Sequence, residues 1–236
     1  TPVDATCAST WPTFSQGVPL TRSSVLNHNA SRQASSRRRA QWNHVFVHPK
    51  SKFAFCIIEK NGCSTWYTVF NELVYGRHGR NYNLGRQIHS KEKEDAVFND
   101  PSAVRAVMVR DPLARFASAF LNKCFDQGCK NSFCAARKRS RRGKPISFAT
   151  AVEWMLSRKP RTLDPHWKLQ SEHCDLRTRL GEYTVVGLMS KSSFSDDARC
   201  ILEMANISHA NRDRKGKPIF YTGRQSSISE EDTLKR

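Results

Sequence analysis

The sequence predicts an α/β fold built on a mainly parallel sheet flanked by helices. Three observations carry that class. Phe53 to Ile58 is a continuous apolar run, which suits a strand covered on both faces better than a half-exposed one. A polar turn follows, and then Trp66, Val69, Phe70, Leu73 and Val74 recur at helical spacing, so that one helix face is apolar. Two more strand-like runs, Val104 to Val109 and Tyr183 to Leu188, alternate with helical stretches, the order of a parallel sheet with crossover helices.

Taken in order, residues 1–40 are rich in Ser, Thr, Pro, Asn and Arg without a sustained period, and they read as a disordered leader or stem. Residues 41–236 read as a single domain whose C-terminus is cut short after the Phe220–Gly223 stretch. Val45, Phe46 and Val47 form a first short strand closed by His48 and Pro49. Gly76 to Glu94 is a polar connection containing His78 and His89. After the Val104 to Val109 strand, Arg110, Asp111 and Pro112 open a helix, with proline in its first turn. Helical spacing puts Leu113, Phe116, Ala117, Phe120 and Leu121 on its buried face and Arg115, Ser118 and Asn122 on another. Residues 123–145 form a basic, cysteine-bearing loop. Ser147 is placed to cap a helix running to about Ser157, with Phe148, Val152, Met155 and Leu156 inward. Leu163 to Cys174 is polar yet holds Trp167, which marks it as a candidate site segment. Ser195, Asp196 and Asp197 begin a last helix through Ile201, Leu202 and Ala205, with an acidic first turn.

Composition narrows the partners. A net charge of +18 and a pI near 10.0 call for an anionic partner: nucleic acid, a membrane surface, a nucleotide or an acidic polymer. No run of about 18 apolar residues spans a bilayer, and no secretory h-region follows Thr1, so any signal or anchor is expected upstream. Eight cysteines without paired C-x2-C spacing favour an oxidising compartment over a zinc site. Cys124, Cys129, Cys134 and Cys174 are expected to pair, with three connectivities open, while Cys56 reads as a buried core thiol and Cys63 as a loop residue.

The turn between the first long strand and its helix carries the chemistry. Lys60, Gly62, Ser64 and Thr65 sit where main-chain N–H groups and the positive end of a helix dipole face an anion. The lysine precedes the glycine, which excludes a Walker A loop.

With CIIEKNGCSTW, VRDPLARFASAFLNKC, DPHWKLQSEHC and YTVVGLMSKSSFSDDA in this order, the chain resembles the Golgi carbohydrate sulfotransferases of the chondroitin/HNK-1 type over roughly residues 45–207. The resemblance implies a P-loop-like α/β sheet of sulfotransferase type, so that residues 41–236 would be a sulfotransferase-like catalytic domain. It also implies 3′-phosphoadenosine 5′-phosphosulfate as co-substrate, with its phosphosulfate held by Lys60, Asn61, Gly62, Cys63, Ser64, Thr65 and Trp66. Arg110 and Ser118 would hold the 3′-phosphate. Glu59 departs from the family, many of whose members have proline before the lysine. The expected acceptor is an acidic or neutral glycan, in the Golgi lumen, with no nucleic acid, no metal, and a membrane contact only through a segment outside this chain.

Moving a sulfuryl group between oxygens builds charge on the leaving phosphate, which Lys60 and aligned N–H donors are placed to stabilise. The acceptor hydroxyl must lose a proton. His166 is the first candidate base, because the matching family segment carries a histidine there and Trp167 beside it could border a sugar; His89 and Glu72 are the alternatives. The basic run from Arg137 to Lys144 reads as a solvated loop or as a surface for an acidic glycan. Two other functions stay open from residues alone: a polyanion-binding protein without catalysis, and a nucleotide-dependent phosphotransferase.

Overall fold

The computed structural model describes residues 45–77, 90–126, 146–159, 163–213 and 215–220. His78, His89, Cys129, Cys134 and the Arg137 to Lys144 run lie outside the described residues.

Four strands form one sheet in the order β1-β2-β3-β4: β1 (Val45–His48), β2 (Phe53–Cys56), β3 (Val104–Val109) and β4 (Val185–Leu188). β1 pairs antiparallel with β2, whereas β2 with β3 and β3 with β4 are parallel. The sheet is therefore mainly parallel with an antiparallel edge. Because β2 and β3 are parallel neighbours, the loops leaving both emerge at the same end of the sheet, where α/β proteins place their ligands.

Alternation along β2 divides the core. Phe53, Phe55 and Ile57 face one layer with Phe46, Ala106, Met108 and Val185, and Ala54, Cys56 and Ile58 face the other. The first layer is covered by α1 (Cys63–Tyr75), through Trp66, Val69 and Phe70, and by α6 (Phe194–Met204), through Ala198, Ile201 and Leu202. Phe46 stacks on Phe70 with centroids 3.8 Å apart, and Trp66 lies 4.0 Å from Phe55. Burying each such ring contributes about 2–3 kcal/mol, which is why this strand-helix unit forms as its periodicity predicts.

The second layer is covered by α2 (Lys91–Asn99) and by a single turn, α5 (Leu176–Arg179). α2 corrects the expectation of a featureless connection running to Glu94. Ser90 caps it by accepting from the Lys93 amide, and Glu92 and Glu94 occupy the first turn. Its buried Glu94 meets Arg179 at 2.9 Å, and the Arg179 guanidinium lies over the Phe98 ring at 4.1 Å, so an ion pair and a cation–π contact join α2 to α5.

A third cluster lies beside the sheet, between α3 (Pro112–Phe120) and α4 (Phe148–Leu156). Asp111 caps α3 and Ser147 caps α4, each accepting from the amide three residues on. Two faces differ from expectation. On α3 the buried positions are Arg115, Ala119 and Phe120, while Leu113 is 60% exposed; on α4 Leu156 is 74% exposed and Ala151 is buried. The helix has turned to bring an arginine inward, because that arginine has main-chain acceptors to meet.

The cysteines also differ. Cys56 is not a free core thiol: it is bonded to Cys174, 118 residues away. Cys124 and Cys200 are disulfide-bonded as well, and Cys63 is the free thiol among the described residues.

Candidate active site

The loop after β2 reverses sharply. Lys60 and Gly62 both adopt left-handed backbone conformations, at φ 70° and 76°, and α1 starts at Cys63 with Gly62 as its cap residue and no side-chain cap. A left-handed lysine costs about 1–2 kcal/mol unless its surroundings hold it, so this loop shape is imposed by contacts elsewhere. Gly62 also has no room for a side chain. A Cβ there would lie 2.4 Å from Cζ of Phe194, the first residue of α6.

Two other segments hold the loop. From the end of β3, Arg110 donates from Nη1 to the Lys60 carbonyl at 3.1 Å. Arg115, one turn into α3 and 5% exposed, spends its guanidinium on three carbonyls: Glu59 at 2.8 Å, Lys168 at 2.6 Å and Pro165 at 2.9 Å. Burial lowers its pKa to about 10, which still leaves it cationic near neutral pH. The Leu163 to Cys174 segment is thereby fastened to both other segments. Gln170 adds to this through its amide: Nε2 donates to the Arg110 carbonyl at 2.7 Å, and Oε1 accepts from the Arg110 amide at 2.9 Å and from Asn61 Nδ2 at 2.6 Å.

His166 lies on this fastened segment. Its Nδ1 is 2.6 Å from Asp164 Oδ1, and its main-chain N–H donates to the same oxygen at 2.9 Å. Burial alone would push the Asp164 carboxyl up, but the hydrogen bonds from His166 outweigh it and leave the group below the usual carboxylate range. An ionised Asp164 accepts from Nδ1–H, so in the neutral ring the unprotonated nitrogen is Nε2.

Behind the loop, the Glu59 carboxyl is pushed up to about 7 by burial, against the opposing pull of Arg115. Its Oε2 lies 3.6 Å from Nδ1 of the buried His173. Burial likewise raises the Cys63 thiol, which keeps it neutral rather than a reactive thiolate.

Of the residues singled out in the sequence, Lys60, Gly62, Cys63, Ser64 and Thr65 share this one turn, Arg110 is hydrogen-bonded to it, and His166 lies on the segment that Arg115 and Gln170 tie to it. Ser118 lies half-buried further along α3. One expectation needs correction, that of Trp167 as a sugar border, and two further side chains, those of Asn61 and Trp66, are committed within the fold. Asn61 is 2% exposed and its amide is committed to Met108 and Gln170, so its side chain shapes the loop from within. Trp66 is wholly buried and its amide donates to the Gly62 carbonyl, so its indole supports the loop from the core. Trp167 is 3% exposed and packs edge-on to Phe116 at 5.3 Å, so it is core and not a sugar border. Glu72 stands apart as well: nine residues into α1, it is about 13 Å along the helix axis from the amino end. Sequence reading missed Arg115 and Gln170, whose roles depend on carbonyl and amide groups far away in the chain.

Comparison with known proteins gives the family of the chain. A model of the sulfotransferase family matches residues 43–235. Carbohydrate sulfotransferase 14 of Danio rerio is 23% identical over 200 residues, covering 75% of this chain and 52% of the relative. Carbohydrate sulfotransferase 9 of Homo sapiens is 27% identical over 187 residues, covering 69% and 41%. Carbohydrate sulfotransferase 14 of Mus musculus is 24% identical over 151 residues, covering 56% and 39%. The chain thus spans about half the length, or less, of these curated relatives. No solved structure matches it. Since the family match runs from before β1 to beyond the last described residue, this chain belongs to the sulfotransferase family.

Proposed function

We propose that the chain is a carbohydrate O-sulfotransferase that moves the sulfuryl group of 3′-phosphoadenosine 5′-phosphosulfate to a sugar hydroxyl by in-line transfer. The observation that carries this reading is that the Lys60 loop and Arg110, fifty residues apart, are joined by a hydrogen bond at one end of the sheet. Two cationic segments side by side suit a nucleotide with anionic groups at both the 5′ and 3′ positions. The names of the relatives supply the sugar acceptor.

The fit to the donor rests on the loop itself. Left-handed residues at 60 and 62 and a helix start without a side-chain cap are the backbone arrangement that presents N–H groups to a phosphate. In this reading Lys60, Gly62, Cys63, Ser64 and Thr65 hold the phosphosulfate, and Arg110 and Ser118 hold the 3′-phosphate. The acceptor oxygen forms a bond to sulfur as the bond from sulfur to the phosphate oxygen breaks. His166 Nε2 takes the hydroxyl proton while Asp164 holds the ring, and Lys60 offsets the charge growing on the leaving phosphate. Residues 41–236 act as one catalytic domain, working in the Golgi lumen, where the disulfides persist, and anchored through a segment outside this chain.

The test is transfer of labelled sulfate from the donor to a panel of glycans. Lys60→Ala should lower kcat by about 100-fold or more, as loss of a transition-state cation does. Wild-type activity in both Lys60→Ala and Arg110→Ala would remove the proposal.

A further inference from the structure

We infer that Gln170 sets the separation between the two anion-gripping segments, acting as a positioning residue for a ligand that must engage both at once. The inference rests on the two-phosphate reading above and goes beyond it by naming the part that spaces the two sites.

The geometry leaves the Gln170 amide a single orientation. Arg110 offers it both a main-chain carbonyl and a main-chain N–H, at 2.7 and 2.9 Å, so Nε2 must face the first and Oε1 the second. Oε1 then also accepts from Asn61 Nδ2, whose other hydrogen goes to the Met108 carbonyl. β3 ends at Val109, and one side chain continues its hydrogen bonding by a residue, tying that residue to the Lys60 loop. No other side chain among the described residues bonds both main-chain groups of Arg110 and a residue of the Lys60 loop.

The main chain of Gln170 is held independently of its amide. Arg115 fastens the carbonyls of Pro165 and Lys168 on one side, and Cys174 is bonded to Cys56 on the other. Removing the amide therefore releases Arg110 from Asn61 while the segment stays in place. A ligand with one phosphate touches one segment and is indifferent to their spacing. With two phosphates, the second contact benefits from the high effective concentration created by the first, and that benefit depends on spacing.

The experiment is calorimetric titration of the oxidised chain with 3′-phosphoadenosine 5′-phosphate, adenosine 5′-phosphate and adenosine 3′-phosphate. The variants are Gln170→Met, which keeps the volume and removes the amide, and Gln170→Asn, which keeps the amide but is too short to span. Wild type should prefer the bisphosphate over either monophosphate. Both variants should lose about 10–100-fold in bisphosphate affinity, with monophosphate affinities within about threefold of wild type. The Asn variant serves alone should the Met variant fail to fold. A lowered melting temperature with an unchanged bisphosphate-to-monophosphate ratio would mean a merely structural glutamine and overturn this inference only. A wild-type protein without preference for the bisphosphate would overturn the two-phosphate reading and this inference with it.

Discussion

Arg110 Nη1 donates to the main-chain carbonyl of Lys60, so the arginine at the end of β3 props the left-handed lysine of the neighbouring loop. One guanidinium donor is thus spent on shaping a partner site, and charge alone does not describe what Arg110 does.

Substituting the arginine by lysine separates the two roles. A lysine keeps the cation, but its ammonium has neither the planar fork nor the reach to serve the Lys60 carbonyl and a phosphate together. Arg110→Lys should therefore raise the donor KM by about tenfold or more and resemble Arg110→Ala, each change of that size corresponding to about 1.4 kcal/mol. Steady-state kinetics with varied donor distinguish this from simple charge retention, under which the lysine variant would sit near wild type.

The pair His166 and Asp164 makes a prediction about kcat rather than binding. His166→Ala should lower kcat by about 100-fold or more, and Asp164→Asn should lower it less, because the ring remains but loses the carboxylate that fixes its tautomer. Donor affinity by calorimetry should stay near wild type in both. A kcat within about threefold of wild type in His166→Ala would transfer the role of base elsewhere.

Gly62 tests how tightly the loop is built. Gly62→Ala combines a left-handed backbone with a Cβ 2.4 Å from the Phe194 ring, and should cost roughly 2–3 kcal/mol in chemical unfolding. Adding Phe194→Leu should recover the steric part and leave the backbone part. No recovery in the double variant would show that Phe194 yields without cost.

What the sequence made legible was what is local. The β2 run, the Trp66, Val69 and Phe70 face of α1 and the Ser147 cap depend on neighbours a few residues away, and all appear as read. The turn bearing Lys60 was legible for the same reason, being a strand end, a glycine and a helix start in succession. α2 was harder: only Val97 among its apolar residues is fully buried, and the available signal was Ser90 followed by Glu92 and Glu94. Arg115 shows what no local pattern reveals. Its spacing on α3 suggested a surface position, but three carbonyls from two distant loops converge on it and reverse the face. Cysteine pairing belongs to the same class, since spacing does not tell which of eight thiols meet.

The Cys56–Cys174 bond closes a span of 118 residues and ends four residues from Gln170. By loop-closure entropy its removal should cost about 3–5 kcal/mol. Cys174→Ser should thus lower the urea midpoint markedly in oxidised protein. Mild reductant should narrow the gap between variant and wild type, since both then lack the bond. Equal midpoints under oxidising conditions would show that the remaining contacts hold this segment unaided.

Glu59 gives a pH signature with a defined sign. Its carboxyl is raised from 4.5 to about 7 in the folded protein, so between these values the folded state holds a proton that the unfolded state has released. Stability from this group is complete below about pH 4.5 and is lost as pH rises through about 7. The shift corresponds to about 3 kcal/mol for a side chain only 13% exposed. Glu59→Gln removes the titration but keeps the shape. Relative to wild type, the variant should gain about 3 kcal/mol between about pH 4 and about pH 8, read from urea unfolding at both ends. An offset independent of pH would mean that Arg115 and His173 already balance the ionised carboxylate, and that the loop beside Lys60 carries no buried uncompensated charge.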